Sequence, residues 1–81
     1  MTYSVKYLTN KLDTYGTLLS VSESNETLLE IRELKYNLYS YLLEIASGKD
    51  VDFCQMKVDG ILKRLRFLGC GAFVDKFESR D

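Results

Sequence analysis

Glu26, Glu30 and Glu33 crowd one short stretch, and carboxylates at helical spacing can exchange a proton or hold a metal ion. Neither chemistry is expected here. The chain has no histidine to complete an acid–base or ligand set, and a place at the start of a helix already accounts for acidic residues, because the unpaired N–H groups there favour negative charge. Arg32 lies close enough to offset part of the repulsion between Glu26 and Glu30. The serines at 4, 20, 22, 24, 40 and 47 have no histidine or lysine partner at a recognisable spacing, and no glycine-rich phosphate loop occurs. Cys54 and Cys70 have no C-x-x-C partner and are too few for a disulfide framework. The reading is therefore a protein that is not an enzyme, with no catalytic residue, metal or cofactor.

A second set of charges raises the question of nucleic acid: Lys57, Lys63, Arg64 and Arg66. Lys57 and Arg64 are seven positions apart and share a helical face, but Lys63 and Arg66 point elsewhere and Asp59 interrupts the surface. Net charge is −1 over 81 residues. Residues 1–50 carry five basic and seven acidic side chains, and residues 51–81 six basic and five acidic, so neither half is a polyelectrolyte. Nucleic acid is not the expected partner. A small anionic ligand needs far less positive charge, and Lys57 and Arg64 with a tyrosine stack define the alternative reading, a ligand-sequestering or nucleic-acid-binding helical module.

The elements that must position these groups are announced by periodicity. Apolar residues recur at heptad-like spacing in three stretches: Val5, Leu8, Leu12, Tyr15 and Leu19; Ile31, Leu34, Leu38, Tyr41 and Ile45; Cys54, Val58, Ile61, Leu65 and Leu68. With no proline in the chain, glycine and Ser/Asn/Asp clusters must make the turns. Helix one is expected from a cap at Thr2 or Ser4 to about Val21, with Gly16 a weak point worth about 1 kcal/mol against alanine, where the helix frays or bends. Helix two follows from a cap at Ser24 or Asn25 to Ala46 or Ser47, ended by a left-handed Gly48. Helix three is expected to start at Asp52, with Gln55 reaching back to complete a capping box and Val51 and Met56 closing a hydrophobic staple. Its last turn holds Lys63, Arg64 and Arg66, which suit the negative helix end. Gly69-Cys70-Gly71 breaks it, Phe73, Val74 and Phe77 fold back as a short helix or turn, and Arg80 and Asp81 close the chain as a frayed tail.

Short connections make successive helices antiparallel neighbours. The expected fold is all-α, a small antiparallel three-helix bundle, a helical hairpin plus a third helix, with a short C-terminal helix or turn, as one domain over 1–81. Cys54 falls on an apolar stripe and is expected to be a buried reduced thiol, whereas Cys70 between two glycines is expected at the surface. No stretch of about 18 apolar residues occurs and the N-terminus has no basic lead into an apolar run, so the expectation is a cytoplasmic protein without membrane insertion.

Helix two carries a second apolar line, Leu29, Tyr36, Tyr39, Leu43 and Ala46, nearly opposite the first. Two coverings explain it: helices one and three on either side, or another chain on part of the second line. Tyrosine suits an interface, where its ring is buried and its hydroxyl finds a polar partner. The functional expectation is a small helical protein–protein interaction module, self-associating, that acts as inhibitor or adaptor of a larger protein partner. Tyr36, Tyr39 and Leu43 are its expected anchors, with Arg32 and Lys35 as edge contacts.

Overall fold

The computed structural model describes residues 3–78 and contains four helices: α1 (Val5–Leu19), α2 (Glu26–Ala46), α3 (Val51–Phe67) and α4 (Gly71–Glu78). The protein is an all-α bundle of three main helices with a short C-terminal helix, as the periodicity predicts. The alternative cap Thr2 and the tail at Arg80 and Asp81 lie outside the described residues.

Local chemistry sets the helix ends. The Ser4 hydroxyl accepts from the Tyr7 amide at 3.1 Å, and the Asn25 side-chain oxygen accepts from the Leu28 amide at 3.0 Å, which selects Ser4 and Asn25 from the expected caps. α1 runs unbroken through Gly16 and stops at Leu19, two residues before Val21. At the end of α2, Gly48 takes φ 77°, its amide donating to the Ile45 carbonyl and that of Lys49 to the Glu44 carbonyl, each at 3.0 Å. Gly69 repeats the arrangement after α3 at φ 94°, with the Cys70 amide donating to the Leu65 carbonyl at 2.9 Å. Both ends are Schellman motifs, and each needs the left-handed conformation that glycine adopts without steric cost.

The start of α3 departs from expectation. Asp52 is not the cap but a residue of the first turn, and Asp50 holds the cap position in a left-handed conformation, φ 44°, without a side-chain hydrogen bond. Gln55 turns forward and donates to Asp59 at 3.1 Å instead of reaching back. Val51 and Met56 are both exposed, so no staple closes. The α2–α3 connection is short and committed to the Gly48 motif, so the chain enters α3 early and places the expected cap inside the helix.

α2 packs against both α1 and α3, and α4 against α3. Cross-contacts run antiparallel: Arg32 reaches the Leu18 carbonyl while Tyr39 meets Tyr7, and Glu30 meets Arg64 while Glu44 meets Cys54. Every helix feeds the core, with Leu8 from α1, Leu38 and Tyr39 from α2, Val58, Ile61 and Leu65 from α3, and Val74 and Phe77 from α4. Fully burying such a side chain contributes roughly 1.5–3 kcal/mol. The Arg66 guanidinium ties α4 to α3 by reaching Asp75 at 3.0 Å and Glu78 at 3.5 Å. Among the described residues, no helix is long and apolar enough to cross a membrane.

Candidate functional site

The second apolar line of α2 is largely used inside the bundle. Tyr39 is a correction to the expected anchors: it is only 2% exposed, stacked on Tyr15 at 5.7 Å and edge-on to Tyr7 and Phe77. α1 and α4 cover this ring completely, leaving nothing for another chain to grip. Burial and the neighbouring Tyr7 and Tyr15 push its hydroxyl pKa far above the usual tyrosine range. Leu43 is half-buried against the core. Tyr36 is half-buried beside a shallow hollow with Leu19, Leu29 and Asn37. The two expected edge cations are engaged within the chain. Arg32 donates to the Leu18 carbonyl and pairs with Glu23 at 3.5 Å, and the Lys35 ammonium sits 4.4 Å from the Phe73 ring centre.

The exposed apolar face lies on α3. Phe53, Met56 and Phe67 are 51%, 61% and 77% exposed. At about 100° per residue they fall with Gly60 on one line of the helix, opposite the buried stripe of Cys54, Val58, Ile61 and Leu65. Nothing lies within 4 Å of where a Gly60 side chain would begin, so the middle of the line is open. Positions 53, 56, 60, 63 and 67 alternate steps of three and four, the spacing of a coiled-coil seam, with Lys63 its one charged member. Asp52 and Asp59 border the line on one side, Lys57 and Arg64 on the other.

Comparison of the chain with protein-family models, curated proteins and solved structures gives no match.

Lys57 and Arg64 do share a face, as their spacing predicts, but each is engaged there. The Lys57 ammonium lies 5.4 Å from the Phe53 ring centre. Arg64 grips Glu30 through two donors, Nε at 2.7 Å and Nη2 at 3.2 Å, and its guanidinium lies 5.1 Å from the Phe67 ring centre. That hydrogen bond holds the Glu30 carboxyl below its usual range. It also takes Glu30 away from Glu26 and Glu33, both exposed. The two cations thus cover the two outward phenylalanines.

Cys54 is fully buried, as its stripe predicts, and its thiol donates to the Glu44 carboxylate at 3.0 Å. That bond, with desolvation second, pushes the thiol pKa up to about 11. A thiol held protonated is a poor nucleophile and metal ligand. Cys70 is half-buried rather than at the surface, packed against the core as α4 folds back.

A cleft of about 240 Å³ opens where α1, α2 and α4 meet, lined by Tyr7, Lys11 and Tyr15 of α1, Tyr39 of α2, and Phe73 and Phe77 of α4 with Lys76. Residues from three helices make it, and no sequence spacing joins them. The outward α3 line, by contrast, had a sequence signal in the 53-56-60-67 spacing, masked by the stronger stripe beside it.

Proposed function

We propose that this protein is a helical protein–protein interaction module whose docking surface is the outward line of α3, and that the line is occupied by α3 of a second copy. The observation that carries this reading is the alignment of three large, exposed apolar side chains, Phe53, Met56 and Phe67, along about 21 Å of one rigid helix. Apolar groups scattered singly over a surface need no explanation, but a line at seam spacing matches the way helices pair.

The charges bordering the line favour a second copy in parallel register. In a parallel pair, a residue on one border faces the residue five positions further along on the opposite border of the other helix. Asp52 then faces Lys57 of the second copy, and Asp59 faces its Arg64, whose Nη1 makes no hydrogen bond among the described residues. Antiparallel pairing instead sets Lys57 against Arg64 and Asp59 against Asp59. Gly60 lets the two backbones approach, and Lys63 carries its ammonium outward on an aliphatic stem. A line this short corresponds to a small interface, so the association is expected to depend on concentration. A dimer would present its remaining surfaces in duplicate to a larger partner, which suits an adaptor or inhibitor.

Light scattering on a sizing column at several concentrations tests the reading. The chain should move from monomer toward dimer as concentration rises, and Met56→Glu with Phe67→Glu should hold it monomeric with unchanged helical circular dichroism. Reversing one acidic border residue, Asp52→Lys, should weaken the dimer several-fold, and adding Lys57→Asp, which leaves the Arg64–Glu30 pair intact, should restore it. A monomer at every concentration, or a dimer indifferent to the two glutamates, would remove the α3 line from consideration.

A further inference from the structure

We infer that α3 and α4 straighten into one continuous helix when two copies pair, and that Val74 and Phe77 then leave their own core for a seam with the second copy. The inference rests on the pairing proposed above, and phase carries it. The outward line at positions 53, 56, 60, 63 and 67 alternates steps of three and four, and the next steps in the same rhythm land on Cys70, Val74 and Phe77. In the folded chain Val74 and Phe77 are 1% and 5% exposed and Cys70 is half-buried. α4 thus holds the apolar continuation of the outward line, turned inward by the bend that precedes it.

The bend is built so that it can be removed. Gly69 holds it at φ 94°, with the Cys70 amide donating to the Leu65 carbonyl at 2.9 Å. Glycine reaches a helical φ as readily as a positive one, and in a straight helix the Cys70 amide passes to the Arg66 carbonyl. The chain has no proline to forbid this. α4 has eight residues, too few to stand as a helix without tertiary support. Its ion pairs from Arg66 to Asp75 and Glu78 are exposed and hold it only weakly. Its stronger ties are the burial of Val74 and Phe77 and the Tyr3 hydroxyl bond to the Phe77 carbonyl.

Straightening lengthens the seam from about 21 Å to about 36 Å. Val74 falls in the same seam class as Phe53, Gly60 and Phe67, and a β-branched residue there favours a parallel pair if Phe53 opens the heptad. The lengthened borders set Arg66 against Gly71 and Phe73 against Glu78, so no like charges meet. Release of Phe77 uncovers the edge of Tyr39, so a single copy keeps the bend. A second copy that binds the straight form draws the population toward it. In a parallel pair each seam residue meets its own counterpart, which brings Cys70 to Cys70 of the second copy.

The full chain carrying Cys54→Ala has Cys70 as its single thiol. Oxidation with diamide, which takes up two electrons and two protons as two thiols join, should give a covalent dimer at concentrations where light scattering shows pairing. Met56→Glu with Phe67→Glu should abolish the cross-link. Gly69→Ala strains the bend and suits a helix, so it should tighten the dimer several-fold and speed cross-linking. Tyr3→Phe, which loosens α4, should also tighten it. A dimer that the two glutamates dissolve but that gives no Cys70 cross-link, or that Gly69→Ala fails to tighten, would overturn the straightening and leave the α3 line standing. Monomers of both the natural chain and Gly69→Ala at every concentration would overturn both.

Discussion

The Tyr3 hydroxyl donates to the Phe77 main-chain carbonyl at 3.2 Å, joining the residue before the α1 cap to the last turn of α4. Carbonyls in a last helical turn have no partner within the helix, so a side chain arriving from the other end of the sequence completes one of them. The same ring stacks on Tyr7 at 5.2 Å and on Phe77 at 5.4 Å.

Tyr3→Phe should therefore cost about 0.5–1.5 kcal/mol, the net contribution of one hydrogen bond. Tyr3→Ala should cost more, because the stacked ring is lost with the hydroxyl. Urea unfolding gives the totals, and amide exchange should place the loss of protection in α4 before the rest of the bundle.

Leu38 is 0% exposed at the centre of α2, between the helices on either side. Leu38→Ala should destabilise by about 2–5 kcal/mol through lost burial and the cavity left behind. Small domains have only about 5–15 kcal/mol in all. The variant should show a large drop in urea midpoint with little change in slope.

Alkaline stability should follow Cys54. Its folded pKa of about 11 lies above the ordinary thiol value of about 8.5, so the folded state keeps a proton that the unfolded chain releases. Stability is full below about pH 8 and falls as pH rises from about 8.5 to 11, with Tyr39 and Tyr15, both raised by burial, extending the decline. Cys54→Ala should flatten the lower part of that decline in urea titrations. Glu44→Gln should bring the thiol pKa back toward its ordinary value.

Two glycines should respond in opposite directions. Gly48 sits at φ 77°, where an added side chain is strained, so Gly48→Ala should cost about 1 kcal/mol. Gly16 is interior to α1 with nothing within 4 Å of where a side chain would begin, so Gly16→Ala should stabilise by about 0.4–1 kcal/mol. Paired thermal melts decide both.

What was legible in advance was local. The three long helices, the pairs of candidate caps that contain Ser4 and Asn25, the Gly48 and Gly69 terminations and the burial of Cys54 follow from spacing and from which residues satisfy a helix end, and these are properties of short segments. The second line on α2 announced two covered faces. It did not say what covers them, and Tyr39, read as an anchor for a partner, is enclosed by Tyr7, Tyr15 and Phe77 of its own chain.

The sequence by itself determined the helices and their buried stripes, because apolar periodicity and capping act within a few turns. Only the tertiary structure decided which aromatic residues remain outside. Phe53 and Phe67 differ little from Phe77 as residues, yet α4 folds Phe77 into the core while the other two stay more than half exposed, each with a cation of α3 against its ring. It likewise decided that Lys35 of α2 would meet Phe73 of α4, and that Arg64 would be claimed by Glu30. Such pairings depend on the relative placement of helices, which is set by the packing of the whole core rather than by any single segment.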